Sequence, residues 1–178
     1  ASTSLIAPPC AVRLRELLAF CSTVSKGFLD LIEELGGKVI LEASGEMTRT
    51  MSTRDGYIIQ RALKKGYNVC IITLGNSKMV ENRMNYLGVN DVFSSVENKL
   101  ETLNSYCSSK NITLENVLYM GDDMPDIDCM KSVSIGTCPN DAVPEIREVA
   151  DYISHVNGGD GCVRDVMEQV LKINNDWF

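Results

Sequence analysis

Asp122 and Asp123 stand side by side directly after a short apolar run, Val117 to Met120, and Asp126 follows three residues later. The run is too short for a helix and stops at a glycine, so it reads as a buried strand. Adjacent carboxylates repel one another, and a hard divalent cation with oxygen ligands supplies the missing counter-charge. The same residues also suit a solvated strand-to-helix loop, with Asp123 or Asp126 as a helix cap and Pro125 opening the helix. A second chemical group is Thr73, which ends the run Val-Cys-Ile-Ile-Thr and precedes Leu74-Gly75-Asn76-Ser77. A hydroxyl and backbone N–H groups at a helix start suit a phosphate oxygen; equally, Thr73 closes a β-branched strand and Ser77 caps the helix. A third is Lys99, where a helix begins and the dipole disfavours a cation. That points to another task, although an exposed lysine is the simpler account.

These groups need strand ends on one edge of a sheet to meet. The chain supplies them. From Asp55 onward, strands expected at 68–73, 92–93, 117–120, 133–136 and 152–153 alternate with helices at 56–65, 77–87, 98–108, 127–131, 143–150 and 163–173. Such alternation implies right-handed βαβ units, hence a three-layer α/β/α, doubly wound parallel sheet. Upstream, residues 38–42 and 47–51 flank a turn at Ala43-Ser44-Gly45-Glu46 and read as a β-hairpin. Phe28, Leu31, Ile32 and Leu35 fall at i, i+3, i+4 and i+7, and Gly36-Gly37 offers a stop, so Gly27 to Leu35 is expected to be helical. Arg13 to Cys21 is a short amphipathic candidate. Residues 1–27 read as a leader and 28–178 as a single domain.

The net charge of −7 argues against general nucleic-acid binding. No apolar stretch is long enough to span a bilayer, and the first residues lack the regions of a signal peptide. Seven cysteines occur without a CxxC pair, and His155 is the one histidine, so no zinc spacing is visible. The expectation is a cytoplasmic protein with reduced core cysteines.

Taken together, hydroxyl, lysine and acidic pair in this order resemble the second, third and fourth motifs of the haloacid-dehalogenase-like phosphohydrolases. Thr53-Arg54-Asp55-Gly56-Tyr57, Ile-Ile-Thr73-x-Gly-Asn76-Ser77, Asn98-Lys99-Leu100, Tyr-Met-Gly-Asp122-Asp123-x-x-Asp126 and Gly158-Gly159-x-Gly161-x-x-Arg164-Asp165 look like the 3-deoxy-D-manno-octulosonate 8-phosphate phosphatase branch. The resemblance covers about residues 38 to 178. It implies a β-hairpin flap without a large cap domain, Mg²⁺ as cofactor, an acidic eight- or nine-carbon sugar phosphate as substrate, and a homotetramer. In such an enzyme an aspartate attacks phosphorus and an aspartyl-phosphate is then hydrolysed. By similarity Asp122, with Asp123, ligates the metal, Thr73 holds the phosphoryl group, and Lys99 neutralises it. Asn76 and Ser77 belong to the phosphate loop. Arg54, Asp55 and a neighbouring subunit's Arg164 address the sugar or its carboxylate.

The first motif departs from this pattern. The family opens with Asp-x-Asp-Gly at a strand end, the first aspartate being the nucleophile and the second the general acid/base. Here Asp30 can be the first, but Ile32 then stands at the second. The periodicity reading instead makes Asp30 an exposed helix residue. Leu74 also replaces the glycine that usually follows the threonine. Two functions therefore stay open: a phosphatase, or a degenerate relative that binds a sugar phosphate or acts structurally. A phosphate-receiver domain is a third, weakened by the glycine-rich C-terminal segment and the late acidic pair.

Overall fold

The computed structural model describes residues 28–31, 39–41, 43 and 47–178. Among the described elements strand β1 (Phe28–Leu31) comes first, then a hairpin of β2 (Val39–Leu41) and β3 (Met47–Arg49). The alternating part runs α1 (Thr53–Lys64), β4 (Val69–Ile72), α2 (Lys78–Leu87), β5 (Asp91–Phe93), α3 (Lys99–Lys110) and β6 (Val117–Met120). It continues through α4 (Ile127–Ser132), β7 (Ile135–Cys138), α5 (Pro144–Val149), β8 (Tyr152–Ile153) and α6 (Cys162–Ile173).

Among the described residues six strands form a parallel sheet in the order β5-β4-β1-β6-β7-β8. From β1 the chain moves outward to β4 and β5, then returns to β6 on the other side. The order reverses at β1, which is where open α/β sheets place their ligands. The doubly wound class expected from the alternation is the one observed.

The expected helix over Gly27 to Leu35 is corrected for the part described: Phe28–Leu31 is a strand. Asp30 lies in it, with Cys70 of β4 and Tyr119 of β6 as its register partners. A strand flanked on both sides in a parallel sheet is apolar nearly throughout, and in so short a run that pattern matches a helical stripe equally well. Residues 32–35, the Arg13 to Cys21 helix and the 1–27 leader lie outside the described residues. The strand expected at 133–136 begins two residues later, at Ile135.

Side chains alternate across the strands and divide the core in two. Val69 and Ile71 of β4 and Leu118 and Met120 of β6 pack under α1, α2 and α6 with Ile58, Met84 and Val166. Cys70, Ile72, Val117 and Tyr119 face the opposite layer with Leu103, Tyr106, Cys129 and Ile146. Cys70, Cys107, Cys129, Cys138 and Cys162 are buried thiols, small apolar fillers as expected. Among the described residues no helix is long and apolar enough to cross a membrane.

Helix ends are set by local chemistry. Asn98 Oδ1 accepts from Glu101 N at 3.1 Å to start α3. Gly88, at φ +93°, ends α2 in a left-handed conformation that costs glycine little. Ser77 does hold the N-cap position of α2, but its side chain makes no capping hydrogen bond.

Candidate active site

In a parallel sheet every strand ends on the same edge, and the helix after it begins there. Thr73 therefore follows β4, Lys99 opens α3 after β5, and Asp122 follows β6, all on one edge. The N-termini of α1 and α6 belong to that edge too, since α1 runs back towards the start of β4 and α6 follows β8.

Asp126 ties the acidic loop to the lysine. Its side chain is fully buried. Its Oδ1 accepts from Lys99 Nζ at 2.8 Å and from Tyr119 Oη at 2.6 Å. Its Oδ2 accepts the backbone N–H groups of Asp122 at 3.3 Å and Asp123 at 3.4 Å. Both oxygens are thus occupied, and the buried charge has an opposite charge beside it, the condition under which a buried carboxylate is tolerated. The simpler account of Lys99 as an exposed lysine is corrected: the residue is 7% exposed and ion-paired.

The loop makes room for this by having no side chain at Gly121. A Cβ there would lie 2.4 Å from Asp126 Cβ and 2.7 Å from its carboxyl carbon. Asp123 is exposed and caps the 3-10 turn Met124–Asp126, its Oδ1 accepting from Met124 N at 2.7 Å. Asp122 is half-buried. Among the described residues no hydrogen bond reaches its carboxylate, although its N–H and C=O are engaged by Asp126 and by Val143. A carboxylate left so at a sheet edge suits a hard cation with oxygen ligands. Among the described residues no cluster of three such side chains converges to complete a site.

Thr73 is buried, and its Oγ1 accepts from Gly75 N at 2.9 Å, which folds Leu74-Gly75 into a tight turn. Leu74 and Asn76 are exposed on that turn and Ser77 is half-buried.

Arg54, Asp55 and Arg164 meet at the mouths of α1 and α6. Gly161 holds the N-cap position of α6 and has no side chain to cap it. Asp55, buried in α1, does so from across the fold, its Oδ1 accepting Arg164 N at 2.7 Å. Burial pushes the Asp55 carboxyl up to about 6, against the opposing pull of the Arg164 N–H and guanidinium, with Asp160 adding a smaller upward push. Arg54 and Arg164 border a groove of about 640 Å³ together with His155, Asp160, Glu168 and Lys172. Below it, Asp165 Oδ2 accepts from Tyr152 Oη and Ser154 Oγ, each at 2.8 Å. Burial, with Asp165 adding to it, pushes the Tyr152 hydroxyl up to about 12.

Sequence reasoning named the residues of the edge but gave no role to Tyr119, Asp165 or Trp177. Tyr119 was the one polar-tipped residue in an apolar run, a usable signal. Trp177 had no motif around it. Its indole gathers three cations, with Arg61, Arg164 and Lys172 at 5.5, 5.4 and 5.3 Å from the ring centre.

Comparison with known proteins agrees with this geometry. Residues 85–165 match the family model of haloacid dehalogenase-like hydrolases. The 3-deoxy-D-manno-octulosonate 8-phosphate phosphatase of Salmonella typhi is 36% identical over 135 residues, 76% of this chain and 72% of the relative. That of Escherichia coli K12 is 35% identical over the same shares. The Moraxella catarrhalis 3-deoxy-D-manno-octulosonate 8-phosphate phosphatase, solved in complex with a magnesium ion, a phosphate ion and a KDO molecule, superposes with a TM-score of 0.84 at 29% identity, over 93% of this chain and 95% of that one. A Vibrio cholerae structure described as a phosphatase of the same kind gives 0.82 at 30% identity, over 89% and 90%. With its switch-point strand, lysine-paired acidic loop and hairpin in place of a large cap, the chain belongs to the haloacid dehalogenase-like hydrolases, in the family of 3-deoxy-D-manno-octulosonate 8-phosphate phosphatases.

Proposed function

We propose that the chain is a Mg²⁺-dependent phosphatase of 3-deoxy-D-manno-octulosonate 8-phosphate or a nine-carbon sialic-type analogue, working in the cytoplasm as a homotetramer. The observation that carries this reading is the Asp126 junction, which fixes a lysine and the Asp122-Asp123 loop beside the central strand that holds Asp30. In the proposed reaction an Asp30 oxygen forms a bond to phosphorus as the bond to the sugar oxygen breaks, and the leaving oxygen takes a proton from solvent water, which the attacking water later returns. Water then attacks the aspartyl-phosphate, releasing phosphate and restoring the carboxylate. Thr73 donates to a phosphoryl oxygen, and Lys99 balances the charge that gathers there. Asn76 and Ser77 close the phosphate loop. Asp122, supported by Asp123, would hold Mg²⁺, which when bound offsets the repulsion between phosphate and carboxylates. Arg54 and Arg164 address the acid group of the sugar, and Asp55 holds the helix end that bears Arg164.

A second reading has a specific observation in its favour. Ile32 cannot donate a proton to the leaving oxygen, so a chain that relies on that position would bind the sugar phosphate without turning it over. Phosphate release from 3-deoxy-D-manno-octulosonate 8-phosphate, with and without Mg²⁺, decides between them. Metal-dependent release supports the phosphatase. Saturable binding without release, in a folded protein, supports the degenerate relative.

A further inference from the structure

Arg164 is held by more than its place on α6. Its guanidinium carbon lies 5.6 Å from the ring centre of Tyr57 on α1 and 5.4 Å from that of Trp177 beyond α6. Its Nε donates to Glu168 Oε2 at 3.1 Å, and its backbone N–H is taken by Asp55. Trp177 is itself anchored. Its carbonyl accepts from Arg61 of α1. The preceding Asp176 accepts from Tyr67 Oη at 3.1 Å, and Asn174 donates to the same hydroxyl at 2.6 Å. A planar guanidinium with aromatic rings within cation–π reach loses torsional freedom, and with Nε taken by Glu168 its Nη groups stay available for a carboxylate. The groove it borders is polar and carries Arg54 at its rim.

We infer that Tyr57 and Trp177 form an aromatic clamp that positions Arg164 to receive the carboxylate of an acidic sugar, and so sets the preference for acidic over neutral phosphate esters. This rests on the phosphatase reading only for its choice of substrate. Tyr57 and Trp177 act through Arg164 and are positioning residues. The lever is discrimination, since a clamp on the acid-binding arginine affects esters that carry the acid and not those that lack it.

The test compares kcat/KM for 3-deoxy-D-manno-octulosonate 8-phosphate with that for p-nitrophenyl phosphate in the full chain, Trp177→Leu, Trp177→Phe and Tyr57→Leu. The clamp predicts that each leucine variant lowers the acid-to-neutral ratio by roughly three- to tenfold, the scale of one cation–π contact. Trp177→Phe, which keeps an aromatic face, restores most of it. An unchanged ratio in both leucine variants overturns the clamp, as does a loss shared equally by both esters. Trp177 is the only tryptophan in the chain, so its emission gives a readout free of turnover. Titration with 3-deoxy-D-manno-octulosonate should change the emission of the full chain and not that of Arg164→Leu. A full chain that hydrolyses neither ester defeats the phosphatase reading, and the clamp is then decided by this titration, where no emission change overturns it.

Discussion

Lys99 Nζ and Asp126 Oδ1 lie 2.8 Å apart in a site where neither side chain is more than 6% exposed. Twenty-seven residues separate them in sequence, and their contact joins the start of α3 to the loop after β6. Removing one partner leaves the other as an uncompensated buried charge. Lys99→Met should therefore lower the unfolding free energy by about 3–5 kcal/mol, read by urea titration at neutral pH. The double variant Lys99→Met/Asp126→Leu should recover part of that loss, because no lone charge then remains. If the two changes were simply additive, the pair would not be the coupling described.

Gly121 should tolerate no side chain. With Asp126 Cβ 2.4 Å from where a new Cβ would sit, Gly121→Ala must displace the backbone that carries the Asp122 and Asp123 N–H groups. A destabilisation of about 1–3 kcal/mol is expected, the usual scale for overpacking. Turnover should fall more than stability does, since the same shift moves the acidic loop. Retained stability and activity would show that the loop relaxes freely.

Asp55 makes stability depend on acidity in a defined window. Its folded-state value is raised from 3.8 to about 6, so between these limits the native state binds more protons than the unfolded chain. Stability from this group is then greatest below about 4 and declines as pH rises towards 6, after which it is flat. Asp55→Asn keeps an oxygen for Arg164 N but does not titrate. Relative to the native chain, it should gain up to about 3 kcal/mol between pH 4 and pH 7, at about 1.4 kcal/mol per unit. Thermal melts across that range measure the difference, and parallel curves would remove Asp55 as its source.

Asp122→Ala should abolish Mg²⁺-dependent turnover with little effect on the melting temperature, because among the described residues its carboxylate holds no hydrogen bond. Asp30→Asn should be equally inactive if Asp30 attacks phosphorus. Single-turnover phosphate release checks both, and full activity in either variant would remove that residue from its proposed role.

The order of elements from α1 to α6 was legible because each strand and helix carried its own period and punctuation, as Gly88 and Asn98 show. β1 was not. Phe28 and Leu31 sit at both helical and strand-compatible spacings, and only the neighbours β4 and β6 decide between them. At the site, the residue types of Thr73, Lys99 and Asp122 were legible, and their order in the chain pointed to one sheet edge. What they touch was not. The burial of Lys99 depends on Asp126, and the capping of α6 by Asp55 spans 109 residues, so neither leaves a local trace. Ser77 shows the reverse case, a residue of the right type in the right place whose side chain makes no capping bond.

β6 contributes Val117 and Tyr119 to one apolar layer and Leu118 and Met120 to the other. It is a common wall, so neither layer can loosen without disturbing the strand on which the other rests. The two cores should melt as one cooperative unit, with the amide protons of β6 among the last to exchange with solvent. Because the acidic loop is the direct continuation of that wall, the chemistry at the sheet edge is suspended from the slowest-breathing part of the molecule.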